Sequence, residues 1–308
     1  MRKTSLECVY DLAKKDKRVL FIGSDLGPGV LANFKKEMPE RFFMEGVAEQ
    51  SIIGMSAGLA KEGFIPYVNT IATFLTRRCY EQVAIDLCLH DLPVRLIGNG
   101  GGLVYAPLGP THLAIEDLAL MRSLPNMTII SPCDAHEMKK LMYQTLNYKH
   151  PIYIRLGRGG ENIITNLNSN IEIGLGILFK KPKHVLIISS GTMTQKSLEI
   201  SEILSKENIQ AGVLHLHTIK PIDSEKIIKY AKNCEFIVTI EEHIKSGGLS
   251  SSVLETLNDN LRENFPKVIR FGLEDKFPHE YGNQQTLQDS SGLNTKAITK
   301  NILSFFKK

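Results

Sequence analysis

Short apolar runs alternate with segments of helical periodicity along almost the whole chain. In the first half, runs without polar alternation predict buried strands at 18–23, 64–69, 94–98, 128–131 and 152–156. Between these runs, apolar residues recur at helical spacing in 50–61, 80–89, 115–123 and 135–146. Buried strands separated by helices are typical of a parallel sheet that is covered on both faces.

The pattern weakens between residues 161 and 183, where Asn, Gly and Lys are frequent, and this stretch is predicted to be a linker. The alternation then resumes, with strands expected at 185–189, 212–217, 236–241 and 268–273. Helices are expected near 197–206, 224–231, 249–257 and 295–306. The sequence therefore predicts an α/β fold of two doubly wound domains, 1–160 and 184–308, with mainly parallel sheets and helices on both faces.

Composition and charge limit the kinds of molecule that the chain is expected to bind. The chain has 308 residues, enough for two such domains, and its net charge of +4 comes without a basic block interleaved with aromatics, so we expect no nucleic-acid partner. No apolar run approaches the roughly 18 residues of a membrane span, so no membrane partner is expected. The cysteines are odd in number, without a C-x-x-C pair, which argues against a disulfide framework or a zinc site and favours a reducing cytoplasm.

The first segment with candidate chemistry is GVAEQ at 46–50, which opens a helix rich in small residues. Its acid, Glu49, lies in the first helical turn. From spacing alone, a simple interpretation is an acid that is stabilised there by the helix dipole. The neighbouring segments favour a different interpretation.

GVAEQ resembles the G-[IV]-x-E-[QH] segment of transketolases and 1-deoxyxylulose-5-phosphate synthases. Further segments follow in the order of that family: TFL at 73–75, GPTH at 109–112, IEDLA at 115–119, LPNM at 124–127, SPCD at 131–134, RLGR at 155–158, HTIKPID at 217–223, EEH at 241–243 and GGL at 247–249. The chain is thus identified as the pyrimidine-binding domain (1–160), a linker (161–183) and the C-terminal domain (184–308) of a split transketolase.

The resemblance implies a thiamine-diphosphate site. In the family, the carboxyl at the position of Glu49 hydrogen-bonds the aminopyrimidine ring and favours its imino tautomer, whose nitrogen removes the thiazolium proton. Phe74 matches an aromatic residue that stacks on this ring, and Ile71 replaces a second one with an apolar wall. Asp25 and Arg78 are also expected at the cofactor.

The resemblance also implies substrate residues. His112 matches a histidine of the substrate channel, and Arg158 matches an arginine that grips a sugar phosphate, with Arg155 close by. Arginine suits this task because its planar fork donates two parallel hydrogen bonds. The implied activity is the transfer of a two-carbon ketol unit between phosphorylated sugars.

Two departures concern the substrate. Pro107-Leu108 stand where most relatives carry an acidic residue, and Gly100-Gly101-Gly102 stand where transketolases carry a histidine. A less polar pocket is expected. The sequence therefore leaves the donor and acceptor sugars open, and such a pocket is compatible with a deoxy, branched or otherwise modified sugar.

A third departure concerns the metal. The family holds the diphosphate through Mg²⁺ with a Gly-Asp-Gly…Asn segment, and no Gly-Asp-Gly occurs in this sequence. Mg²⁺ needs oxygen ligands such as carboxylates. We therefore expect a partner subunit of the N-terminal transketolase type to carry them, in an α2β2 assembly.

Two other functions remain open. The chain could be the beta subunit of an enzyme that decarboxylates a 2-oxoacid, in which case no substrate-phosphate site is needed. It could also be a non-catalytic subunit that stabilises a complete enzyme, although Glu49, Phe74 and His112 together argue against this.

Overall fold

The apolar runs of the first half form a parallel sheet in the computed structural model, which describes residues 1–23, 29–44, 46–166, 169–262 and 264–306. The strands of this half are β1 (Val19–Gly23), β2 (Phe42–Met44), β3 (Ile65–Ile71), β4 (Arg95–Asn99), β5 (Thr128–Ile130) and β6 (Ile152–Leu156). A further strand, β10 (Thr218–Lys220), comes from the second half and pairs antiparallel with β5. The strand order is β10-β5-β6-β4-β3-β1-β2.

Helices cover both faces of this sheet. They are α1 (Arg2–Lys15), α2 (Ala32–Glu37), α3 (Glu49–Lys61), α4 (Ala72–Thr76), α5 (Tyr80–Gln82), which continues as a π-helix (Val83–Leu89), α6 (Asp117–Arg122) and α7 (Ala135–Thr145). Successive strand residues point to opposite faces. Val68 therefore packs in one core, with residues of α3 and the π-helix. Tyr67 packs in the other, with residues of α1, α2 and α7.

The second half forms a smaller sheet of the same kind. Its strands are β7 (Ile177–Lys180), β8 (Val185–Ser189), β9 (Ala211–His215), β11 (Phe236–Ile244) and β12 (Lys267–Leu273), in the order β12-β11-β8-β9-β7. Among the described residues of this sheet, β7 is the only antiparallel strand. It lies inside the stretch, 161–183, that was predicted to be a linker. The helices are α8 (Met193–Lys206), α9 (Ser224–Ala231), α10 (Leu249–Leu261), α11 (Gln284–Ser290) and α12 (Thr295–Phe306). The predicted fold class, two mainly parallel α/β units, is confirmed.

The two halves share buried structure. One core cluster contains side chains from both sheets, among them Ile129 of β5 and Ile188 of β8. Within the described ranges, no helix is both long and apolar enough to cross a membrane.

One edge of the larger sheet collects the segments that carry candidate chemistry. Strands β1, β3, β4 and β6 are parallel, so their carboxyl ends meet at this edge. Segments that follow Ile71, Asn99 and Leu156 therefore start side by side. Ligands of open parallel sheets bind at such an edge.

Candidate active site

Glu49 is the first residue of α3 and is held there by an unusual backbone. Gly46 and Val47 precede it with φ of 63° and 59°. The left-handed conformation is strained for a β-branched residue, at a cost of about 1–3 kcal/mol, and strain of this kind clusters at functional sites. The turn directs Glu49 inward, where it is only 3% exposed, whereas Val47 is 80% exposed.

Arg78 covers the carboxylate of Glu49. Its Nη1 donates a hydrogen bond of 2.7 Å to Glu49 Oε2. The same guanidinium lies over the ring of Phe74, with its Cζ 4.2 Å from the ring centroid. A planar group with N–H donors is thus stacked on an aromatic face and bonded to a buried carboxylate.

His112 extends this cluster on the other side of Phe74. The two rings meet edge to face, with centroids 5.3 Å apart, and His112 Nδ1 lies 2.9 Å from Thr111 Oγ1. Burial lowers the pKa of His112, and the positive charges of Arg77 and Arg78 lower it further. The imidazole is therefore neutral at neutral pH.

Arg77 and Glu116, which no sequence motif identified as site residues, hold the loop around His112 in place. Arg77 Nε donates to Glu116 Oε1 at 2.7 Å, and Arg77 Nη2 donates to the carbonyl oxygen of Leu113 at 2.8 Å. The adjacent arginines at 77 and 78, just after α4, were the available signal, because two neighbouring cations need separate partners.

Arg155, expected near the substrate phosphate, lies in a buried ion pair. Its Nε and Nη2 donate to the two carboxylate oxygens of Asp117 at 2.7 and 3.1 Å. Tyr153 donates to the same carboxylate at 2.8 Å, and Arg155 Nη2 also reaches the carbonyl oxygen of Glu242 at 3.0 Å. These contacts join β6 to β11. A direct contact of Arg155 with substrate stays a prediction.

Arg158 is exposed and lines a cleft of about 990 Å³ between the two halves. Across the cleft lies Lys196 of α8, whose Nζ donates to Gln288 Oε1 at 2.7 Å. Burial lowers the pKa of Lys196. In the part of the chain that the structure describes, the side chain of Arg158 makes no hydrogen bond or ion pair, so its fork is available to an anionic ligand.

The glycine run at 100–102 is explained by its neighbours. A Cβ at Gly100, where φ is +80°, would lie 2.1 Å from a ring carbon of Tyr105. A Cβ at Gly101 would lie 2.6 Å from Arg155 Cγ. Tyr105 thus fills the space beside Gly100, and Leu108 is 50% exposed near this loop.

The remaining cofactor candidates are Ile71 and Asp25. Ile71 ends β3, caps the start of α4 and is half-buried. Asp25 lies outside the described residues.

Comparisons with known proteins find transketolase relatives that align with the whole length of this chain. Residues 1–160 match the family model "Transketolase, pyrimidine binding domain", and residues 176–298 match "Transketolase, C-terminal domain". A subunit of the apulose-4-phosphate transketolase of Phocaeicola vulgatus is 34% identical, over 100% of this chain and 97% of the relative. The 6-deoxy-6-sulfo-D-fructose transketolase subunit SqwH of a Clostridium species is 33% identical, over 97% of this chain and 92% of the relative.

A solved structure is also similar. It is described as a split gene transketolase, inactive beta4 tetramer, and superposes with a TM-score of 0.89 at 34% identity, covering 98% of this chain and 97% of that one. The chain therefore belongs to the transketolase family and consists of its pyrimidine-binding and C-terminal domains.

Proposed function

We propose that this chain is the cofactor-activating subunit of a split, thiamine-diphosphate-dependent transketolase that transfers a two-carbon ketol unit between phosphorylated sugars. The observation that carries the proposal is the cluster of Glu49, Arg78, Phe74 and His112, which brings together four residues that were assigned to the site from the sequence. The transketolase names of the whole-length relatives support the same reaction class.

The cluster fits the aminopyrimidine of the cofactor. Arg78 occupies a slot with an aromatic face below it and a buried carboxylate at its edge. Such a slot suits a flat ring whose nitrogen hydrogen-bonds a carboxyl. Ile71, at the end of the strand that leads into Phe74, supplies an apolar wall. We infer that Arg78 moves aside when the ring is bound.

In this proposal, the residues of the chain have separate roles in the reaction. Thiamine diphosphate supplies, when bound, the acidic carbon that carries the two-carbon unit. Glu49 shares a proton with the ring nitrogen and so selects the tautomer that acts as base. His112, neutral and next to Phe74, hydrogen-bonds the reacting oxygens of the substrate. Arg158 binds the substrate phosphate at the cleft that it lines.

The diphosphate and its Mg²⁺ are assigned to a partner subunit. The sequence has no Gly-Asp-Gly segment, and the family needs one for these ligands. We propose that the partner is an N-terminal transketolase-type chain that carries it, in an α2β2 heterotetramer. The relatives named as subunits support this organisation. All five thiols are buried and unbridged, which supports a reducing compartment such as the cytoplasm.

The substrate is proposed to be a modified sugar phosphate. The glycine run places no polar side chain where transketolases carry a histidine, and the ring of Tyr105 lies beside Gly100. One relative is named for 6-deoxy-6-sulfo-D-fructose, a modified sugar, and this name supports the proposal.

Reconstitution tests the function. The purified chain alone should show no ketol transfer with thiamine diphosphate and Mg²⁺, and activity should appear when the Gly-Asp-Gly partner is added. Full turnover by the isolated chain would contradict the split-site proposal. Decarboxylation of a 2-oxoacid by the complex, without ketol transfer, would establish the alternative beta-subunit function. Activity that survives Glu49→Gln and Phe74→Ala together would make this chain a stabilising subunit.

A further inference from the structure

A second cluster of chemically active side chains lies away from Glu49, where the two halves meet. Cys133 stands in the loop before α7, Glu137 is in the first turn of α7, and His215 is the last residue of β9. One ligand atom from each of the three lies within 4.8 Å of the other two, and all three residues are buried.

The imidazole of His215 is fixed in orientation from both sides. Its Nε2 lies 2.9 Å from Glu137 Oε2, and its Nδ1 lies 2.7 Å from Thr194 Oγ1. Histidines that bind metals typically use one ring nitrogen for the metal and the other for such a fixing hydrogen bond. The backbone N–H of Cys133 donates to Glu137 Oε2 at 2.6 Å, which draws the thiol and the carboxylate into one small volume.

A fourth donor lies beside these three residues and has no partner. His217 is fully buried, its ring centroid is 5.9 Å from that of His215, and its Nδ1 lies 2.9 Å from Thr218 Oγ1. Among the described residues, nothing hydrogen-bonds its Nε2. A buried polar atom without a partner costs about 1–3 kcal/mol and calls for a ligand or other explanation.

We propose that Cys133, Glu137 and His215 bind one Zn²⁺ ion, with the buried His217 as the fourth donor. Zn²⁺ takes thiolate, imidazole and carboxylate ligands in tetrahedral sites, at about 2.0–2.3 Å. Binding requires the Cys133 thiol to release one proton to solvent, and the proton that His215 shares with Glu137 at Nε2 moves to Nδ1, which then donates to Thr194 Oγ1. The hydrogen bond between His215 and Glu137 is thereby replaced by two metal bonds. The thiolate and the carboxylate together neutralise the charge of the ion.

This site is chemically distinct from the Mg²⁺ that accompanies the cofactor. Mg²⁺ prefers oxygen ligands, whereas a thiolate and imidazoles select zinc-like ions. The bound ion joins α7 of the first half to β9 of the second half, so its role is to fasten the two halves together. The proposal does not depend on the function proposed for Glu49.

Metal analysis of the full-length chain tests this inference. After incubation with excess Zn²⁺ and gel filtration, the wild-type chain should retain about one zinc per chain. Cys133→Ser and His215→Gln should retain only background zinc. Cys234→Ser is the matched control, because it changes a buried thiol of the second half that is not part of the cluster. It should retain the wild-type amount of zinc.

A spectroscopic measurement on the folded wild-type chain guards against misfolding of the variants. Substitution with Co²⁺ should give the wild-type chain a thiolate-to-cobalt charge-transfer band in the near ultraviolet, and Cys133→Ser should lack it. Failure of the folded wild-type chain to retain either metal would overturn the proposal and leave the cluster as a hydrogen-bonded contact between the halves. Equal zinc retention by wild type and Cys133→Ser would overturn it as well.

Discussion

The guanidinium of Arg78 donates a 2.7 Å hydrogen bond to the carboxylate of Glu49, which is almost fully buried. The two residues are separated by 29 positions in sequence and meet because α3 and α4 both start at the carboxyl edge of the larger sheet. The bond directs Glu49 into the slot above Phe74 and also blocks that slot. Under the function proposed above, cofactor binding requires this bond to break.

Removal of Arg78 should tighten cofactor binding. In the assembled complex, we expect Arg78→Met to lower the Kd for thiamine diphosphate up to about fivefold, since a partly exposed ion pair contributes roughly 0–1 kcal/mol. Titration calorimetry or fluorescence quenching measures this, with Arg18→Ala at the opposite end of the sheet as the control. A Kd that rises more than about tenfold would mean that Arg78 itself contacts the bound cofactor.

Arg158→Ala should mainly raise KM for phosphorylated substrates. The side chain is exposed in the cleft and makes no other described contact, so its loss removes binding that ground and transition states share. A charged hydrogen bond contributes about 1.5–3 kcal/mol, which corresponds to roughly a 10- to 100-fold change. Steady-state kinetics should show a nearly constant kcat. Unchanged KM values would refute the phosphate role.

His112 should titrate below the ordinary histidine value of about 6.5. Burial and the charges of Arg77 and Arg78 disfavour the imidazolium, so the ring stays neutral until the pH falls below that value. NMR of the chain with labelled histidine should show this midpoint, and Arg78→Met should raise it. A wild-type midpoint above 6.5 would contradict the assigned electrostatics.

His112→Ala should lower kcat more than it raises KM.

Continuous apolar runs made much of the fold predictable. The strands predicted at 152–156 and 185–189 have the same bounds in the structure, because every residue of β8 and nearly every residue of β6 is buried. The strands β2, β7 and β10 were not predicted. Each is three or four residues long, and none is a continuous buried run, so their formation depends on the strands they pair with.

The candidate site was only partly predictable for a similar reason. Local motifs pointed to Glu49, Phe74 and His112. They did not predict the hydrogen bond between Arg78 and Glu49 or the ion pair between Arg77 and Glu116, because both depend on long-range packing. The sequence argued against a zinc site because it has no C-x-x-C pair. Such spacing detects only ligands that are close in sequence. Glu137 and His215 are separated by 78 positions and meet only in the folded chain.

Hydrogen–deuterium exchange at the thiazolium carbon tests the central claim most directly. Glu49→Gln keeps the size of the side chain but does not share a proton with the ring nitrogen. Acid–base assistance of this kind contributes about 10²–10⁴-fold, so exchange in the assembled complex should slow within that range. Glu62→Gln, at the other end of α3, should exchange at the wild-type rate. If Glu49→Gln matches wild type within about twofold while the complex remains intact, Glu49 is only a helix-terminus acid, and this chain is not the activating subunit.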